Sequence, residues 1–294
     1  FPGAFLGRHP AVDLARGTIH GVPAVMPGAW GSHLGVVDLV LDDSSGRWAV
    51  KADAGRAHLR PVWDRATRKA LVEPDPAIAA LVSREHEATR AHMAAEITRS
   101  TAPITSYFAL VADDPSVQLV SQAQLAYARA ALKGTPHEGL PLLSAAAPFK
   151  AGGRMGWGYY TDIPAGPVAL RHIASLYIYP NTVKVVKISG TQLREWLEMS
   201  AGQFNRIDPR GAPEQNLIND GFRTYNFDVI DGATYAIDVT QPARYDSNGK
   251  RASDGTRIRD LKVGGKPVAD GDSFAVVTNN YRASGGGNFP GAGG

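Results

Sequence analysis

With 294 residues the chain is long enough for two domains with cores of their own, and 44% hydrophobic and 20% charged residues place it among globular rather than disordered or fibrous proteins. A net charge of +3 is a weak bias toward anionic small ligands, and no Lys/Arg run is dense enough to argue for a nucleic-acid polymer. Zero cysteines exclude disulfides, thiolate metal sites and cysteine nucleophiles, and no apolar run approaches a membrane span.

No basic-then-apolar signal segment is present, and the absence of cysteine fits a periplasm or a cytoplasm equally. The abrupt opening on Phe1-Pro2-Gly3 and the ending on Gly291-Ala292-Gly293-Gly294 read as a piece of a longer protein.

Residues 1–72 are glycine-rich, with β-like runs at 19–26, 34–41 and 48–52. Asp42-Asp43-Ser44-Ser45-Gly46 between the last two predicts an antiparallel hairpin. Three strands do not make a core, so this region reads as the edge of a sheet whose remainder is elsewhere. Asp75-Pro76 then opens a helix marked by Ile78, Leu81, Val82, Met93 and Ile97, with Pro103 closing it. Over residues 73–103 such a helix is a connector between domains or an ordinary surface helix.

From residue 104 to 294 the pattern is mixed α/β. Asp114-Pro115-Ser116 starts a packed helix reaching Leu132, and residues 140–147 form a short buried strand. Residues 175–179 and 183–188 read as strands, the second alternating lysine with apolar side chains. Thr191 is the expected cap of a helix through Trp196 and Met199, with Glu195 as capping partner. Strands are expected at 225–230, 235–239 and 258–263, with Asp231-Gly232 as the turn between the first two. A last buried strand, Phe274-Ala275-Val276-Val277, delivers Asn279-Asn280-Tyr281-Arg282 onto the loop Gly285-Gly286-Gly287-Asn288.

Histidines are scattered singly, and His86 and His92 stand six apart on different helix faces, so no complete metal site is expected in this chain. There is no Gly-x-Ser-x-Gly elbow, Walker loop or Gly-x-Gly-x-x-Gly fingerprint. What remains are two aromatic-plus-polar corners, Tyr177/Tyr179-Pro180-Asn181 and Asn280-Tyr281-Arg282, and a basic glycine loop from Lys150 to Arg154. Two aromatics can sandwich a planar heterocycle while Lys150 or Arg154 pairs an anion. The alternative is core rings with satisfied hydroxyls and solvated surface cations.

The runs 143–154, 159–166, Tyr177-Ile178-Tyr179-Pro180-Asn181-Thr182, 193–205, Tyr225-Asn226-Phe227-Asp228-Val229-Ile230-Asp231-Gly232 and 278–287 together closely resemble the C-terminal domain of bacterial 2',3'-cyclic-nucleotide 2'-phosphodiesterase/3'-nucleotidases, members of the 5'-nucleotidase family. The resemblance implies an α+β fold: a nucleoside-binding domain over 104–294, the connector helix, and in 1–72 the edge strands of an incomplete metallophosphoesterase domain. It further implies a periplasmic parent enzyme whose two divalent metal ions sit in the missing N-terminal part, with none bound by this fragment, and a nucleotide or nucleoside partner without membrane or nucleic-acid polymer. By position Tyr179 and Tyr281 match the family's base-stacking aromatics and Asn181 their polar partner, with Asn280 and Arg282 beside them. Gly287 stands where plain 5'-nucleotidases carry Asp, and an insertion around Gly152-Gly153 leaves Lys150 and Arg154 as alternatives for the phosphate-site arginine. A catalytically silent nucleotide-binding module, or a surface-interaction domain without ligand, are the competing functions.

Overall fold

A computed structural model describes residues 12–28, 30–51, 54–64, 66–156 and 158–290, with the Arg154 side chain outside that description. Phe1, Ala52 and residues 291–294 lie outside the described residues. The chain divides into two compact units, 1–88 and 89–294.

The first unit is a set of small antiparallel ribbons. β1 (Val12–Asp13), β2 (Thr18–Ile19) and β3 (Val22–Pro23) form one. His20 and Gly21 both have positive φ, the conformation a two-residue hairpin demands, so the run expected as one strand over 19–26 folds back on itself. β4 (His33–Asp38) pairs along its length with β7 (Arg56–Pro61), while the turn at residues 42–46 closes only the short ribbon of β5 (Leu41–Asp42) and β6 (Ala49–Val50). The hairpin is thus where the turn sequence places it, but the main partner of residues 33–38 lies farther along. β8 (Trp63–Asp64) and β9 (Lys69–Ala70) make a last ribbon, and Leu34, Leu41, Trp48 and Trp63 are exposed.

Helix α1 (Pro76–Ala94) starts at the expected proline, with Asp75 accepting the Ala77 amide at 2.8 Å. It carries no buried residue among the described residues, and it ends well short of Pro103 because residues 96–100 are needed as a strand. That strand, β10 (Glu96–Ser100), pairs with β14 (Gly166–Ala169), and β11 (Ile104–Thr105) pairs with β13 (Asp162–Ile163). None of the described helices is long and apolar enough to cross a membrane.

The second unit is built on a mixed sheet of order β15-β20-β12-β16, formed by β12 (Leu142–Ala146), β15 (Val183–Ser189), β16 (Val229–Asp231) and β20 (Ser273–Asn279). In its inner strand β20 the run Phe274-Ala275-Val276-Val277 is apolar without interruption because both faces are covered. Phe274 and Val276 face a core with Leu143, Ile188 and Ile230, closed by α4 (Gly190–Ser200) through Leu193, Trp196 and Leu197. Val277 faces the other way, onto Leu125 and Ala128 of α2 (Pro115–Leu132). Burying a Leu or Val side chain of this kind is worth about 1.5–3 kcal/mol. A second sheet of β17 (Ala233–Ile237), β18 (Ile258–Val263) and β19 (Lys266–Pro267) contributes Ile258 and Leu261 to the α4 core.

Asp231-Gly232 is a sharp corner, with Gly232 at φ +89°, but it passes the chain from one sheet to the other rather than closing a hairpin. Of residues 225–230 only the end is strand, since 224–226 is a 3-10 turn. Residues 175–179 are not a strand: α3 (Leu170–Leu176) runs into them and the chain continues as a loop. The cap of α4 is Ser189, whose hydroxyl accepts the Gln192 amide at 3.2 Å while Gln192 Oε1 accepts the Ser189 amide at 2.8 Å. Glu195 instead pairs with Arg244 and accepts the Tyr245 hydroxyl at 2.5 Å. The mixed helix and strand content agrees with the α+β expectation.

Candidate functional site

Strand direction decides what meets at one edge of the central sheet. β12 runs parallel to β20, and β15 and β16 run antiparallel to them. The ends of β12 and β20 therefore share an edge with the starts of β15 and β16. Ala146 is opposite Val229 and Asn279 opposite Val183, so the segments carrying Phe149, Tyr281, Tyr179 and Asp228 converge there. They line a cavity of about 200 Å³ whose rings are Phe149, Tyr179, Tyr225 and Tyr281, with Asn181, Asp228, Asn279 and Arg282 as its polar groups. A mostly aromatic concavity with a few convergent polar groups is the usual form of a small-molecule site.

Each ring is held. Phe149 meets Tyr177 and Tyr179 edge-on, with centroids 4.7 and 5.3 Å apart. Tyr179 is 45% exposed; burial of its remainder, and then the neighbouring phenols Tyr159, Tyr225 and Tyr281, hold its hydroxyl above the usual phenol range. Tyr281, equally exposed, sits in the short helix α5 (Asn280–Ala283), capped by Asn279, whose Oδ1 accepts the Arg282 amide at 2.9 Å. Gly286 backs this ring: a Cβ there would stand 2.7 Å from both Tyr281 Cδ carbons and 2.5 Å from the Tyr281 carbonyl oxygen. The glycine loop thus serves to let backbone pack against an aromatic ring.

The two corners singled out in the sequence are joined. Asn280 Oδ1 accepts the Thr182 amide at 2.8 Å, and the Asn280 amide donates to the Thr182 carbonyl at 2.9 Å. The Tyr177 hydroxyl accepts from Asn181 Nδ2 at 3.3 Å and from Asn279 Nδ2 at 3.2 Å. Asn280 is a clamp between walls and is not among the residues lining the cavity.

Arg282 lines the cavity but is 2% exposed, and all three guanidinium nitrogens donate to the protein. Nε and Nη2 reach Asp228 Oδ2 and Oδ1 at 2.7 and 3.0 Å, Nη2 also reaches Asn226 Oδ1 and the Tyr225 carbonyl, and Nη1 donates to the Gly286 carbonyl. Its Cζ lies 3.7 Å from the Phe289 ring centre. Gly287, at φ +78°, has no room for a side chain, because a Cβ would fall 2.3 Å from Arg282 Nη1 and 2.6 Å from Asn226 Oδ1. Arg282, expected to touch ligand, is engaged in holding the site together.

Lys150 is not among the residues lining that cavity. Its Nζ donates to Ser175 Oγ at 2.9 Å and lies 5.7 Å from the Tyr159 ring centre, and it lines, with Ser106 and Thr161, a small adjoining cleft that shares Phe149 with the cavity. The backbone of Arg154 lies in a one-turn 3-10 helix, Gly153–Met155. Asn279, named in the sequence with the Tyr281 loop, lines the cavity, and so do Phe149, Tyr225 and Asp228, which the sequence reading did not single out as site residues. A faint signal for Asp228 was an acidic residue directly preceding the apolar Val229-Ile230. Among the described residues no group of three or more His, Asp or Glu side chains gathers as a metal site would require.

Comparison with known proteins agrees with this architecture. Residues 95–293 match the family described as "5'-nucleotidase, C-terminal domain". The chain is 49% identical, over its whole length and 45% of the relative's, to the 2',3'-cyclic-nucleotide 2'-phosphodiesterase/3'-nucleotidase of Salmonella typhimurium. It is 46% identical to a trifunctional nucleotide phosphoesterase of Bacillus subtilis, covering 99% of the chain and 19% of that protein. It therefore spans less than half the length of these relatives. A Staphylococcus aureus structure described as a 5'-nucleotidase superposes with a TM-score of 0.62 over 93% of this chain and 46% of its own, at 22% identity, a likeness of fold. A Thermus thermophilus 5'-nucleotidase precursor gives 0.51 over 91% and 44%, at 20% identity. The chain belongs to the 5'-nucleotidase family, with residues 95–293 forming its C-terminal domain.

Proposed function

We propose that this chain is the nucleoside-binding part of a phosphoesterase that opens 2',3'-cyclic nucleotides and then hydrolyses the resulting 3'-nucleotides. The observation that carries the proposal is the placement of Tyr179 and Tyr281, from segments a hundred residues apart, on one cavity of aromatic lining. Rings at the open side of a cleft stack a nucleobase for about 1–3 kcal/mol per base. The substrate class is favoured by the similarity, at 46–49% identity across the chain, to relatives named 2',3'-cyclic-nucleotide 2'-phosphodiesterase/3'-nucleotidase.

Bond breaking belongs, in this proposal, to a metallophosphoesterase domain joined in cis to this chain. Two divalent ions there would supply the Lewis-acid chemistry. The residues of this chain do four things: Tyr179 and Tyr281 stack the base, Asn181 and Asn279 present amides at the cavity wall, Asp228 presents a carboxylate, and Phe149 fixes the ring of Tyr179. A periplasmic location goes with the same proposal.

The test is a product time course with the full-length protein and 2',3'-cyclic AMP. Transient 3'-AMP followed by adenosine and phosphate is expected; failure to turn over the cyclic substrate while 5'-AMP is hydrolysed would replace this substrate class with a plain 5'-nucleotidase activity.

A further inference from the structure

Stacking accepts any planar ring, so the aromatic walls cannot by themselves select a ligand. Selection needs a polar group of one hydrogen-bonding sense, fixed in place before the ligand arrives. Among the described polar groups of the cavity, Arg282 is engaged with the protein through all three guanidinium nitrogens. Asn279 is held from both ends, its Oδ1 accepting the Arg282 amide and its Nδ2 donating to the Tyr177 hydroxyl. Asn181 donates its Nδ2 to the same hydroxyl and is half-buried, and an amide that both donates and accepts fixes no single hydrogen-bonding sense.

Asp228 differs. Its Oδ2 accepts two donors, Trp196 Nε1 and Arg282 Nε, each at 2.7 Å. Its Oδ1 accepts from Arg282 Nη2 at 3.0 Å and from no other donor among the described residues. A carboxylate oxygen takes two hydrogen bonds, so the spare acceptor of this residue is on Oδ1. The side chain is also immobilised: Asp228 is 4% exposed, Trp196 is fully buried in α4, and Arg282 is 2% exposed in α5. A carboxylate tied to two buried elements is pre-organised, and paired to a guanidinium it accepts and does not donate.

We infer that Asp228 Oδ1 is the specificity acceptor of the cavity, taking one hydrogen from a hydroxyl or amino donor of the bound nucleoside. This role rests on the cavity being the nucleoside site proposed above. A ligand lacking that donor leaves a buried charged acceptor short of a partner, and a ligand with an acceptor there meets like against like. Hydrogen bonds to charged groups imply a loss of about ten- to a hundredfold in affinity when the donor is deleted.

The experiment is calorimetric binding of adenosine, 2'-deoxyadenosine, 3'-deoxyadenosine, 5'-deoxyadenosine and inosine to the full-length protein and to Asp228→Asn. The expected result is that one of these deletions, and only one, weakens binding to the unaltered protein ten- to a hundredfold, and that the same deletion has no further effect in Asp228→Asn. The three deoxynucleosides report a sugar hydroxyl, and inosine reports the exocyclic amine. Should Asp228→Asn fail to fold, a structure of the unaltered protein with adenosine decides, a donor within hydrogen-bond distance of Oδ1 being expected. All analogues binding within twofold of adenosine, a uniform loss across the series in Asp228→Asn, or no ligand donor near Oδ1 would overturn the inference while leaving the nucleoside site standing. No binding of adenosine at all would overturn both.

Discussion

Asn280 and Thr182 exchange two hydrogen bonds, side chain to amide at 2.8 Å and amide to carbonyl at 2.9 Å. They tie the segment that carries Tyr179 and Asn181 to the helix that carries Tyr281. The spacing of the two cavity walls is thereby set by the backbone and not left to the rings themselves.

Asn280→Ala removes the side-chain half of this clamp and leaves the Thr182 amide without its protein acceptor. A stability loss of about 0.5–1.5 kcal/mol is expected, the ordinary net worth of an exposed hydrogen bond, with a several-fold weaker nucleoside affinity. Denaturant unfolding and calorimetry check the two parts separately.

Gly286→Ala puts a methyl group where the Tyr281 ring and carbonyl already stand, at 2.5–2.7 Å. The ring or the loop must shift, at a cost of about 1–3 kcal/mol. Binding is expected to weaken toward that of Tyr281→Ala. An unchanged affinity would show that the position of Tyr281 does not matter.

Arg282→Met strands the buried carboxylate of Asp228, and loss of one member of a buried pair costs about 3–5 kcal/mol. Urea unfolding of the variant is expected to show a loss in that range. The double variant Arg282→Met with Asp228→Leu should recover much of it, because no uncompensated charge remains.

Two phenols titrate late. Burial pushes Tyr235 up to about 12, and burial together with the hydrogen bond to Glu195 pushes Tyr245 up to about 12. With folded values above the unfolded value near 10, the folded state holds more protons between pH 10 and 12. The stability these phenols contribute is therefore complete below about pH 10 and is lost as pH rises toward 12. Unfolding free energies measured from pH 9 to 12 should fall, and fall less in Tyr245→Phe.

Much of this was legible in the residues, where the signal was local. The unbroken apolar run 274–277 marked a strand covered on both faces, and Asp114-Pro115 marked the start of α2, where Asp114 indeed accepts the Ser116 amide at 2.9 Å. Tyr177-Ile178-Tyr179 has the composition of a strand, but its rings pack on Phe149 and its hydroxyl at Tyr177 serves two asparagines, contacts made outside any ladder. Asp231-Gly232 is a true corner, yet Gly232 packs against Leu143 and sends the chain to a second sheet, which no turn sequence reveals. Of the site, the two exposed tyrosines carried a signal because aromatic rings beside Asn and Gly stand out. Asp228 carried only a faint one and the engagement of Arg282 none, since the partners lie 54 residues apart and their pairing exists only in the folded chain.

Calorimetric titration of adenosine into the full-length protein and its Tyr179→Ala and Tyr281→Ala variants tests the two-tyrosine cavity most directly. Each variant is expected to keep its fold and to lose about 1–3 kcal/mol of binding, roughly five- to a hundredfold in Kd. Both variants binding adenosine as tightly as the unaltered protein would contradict it.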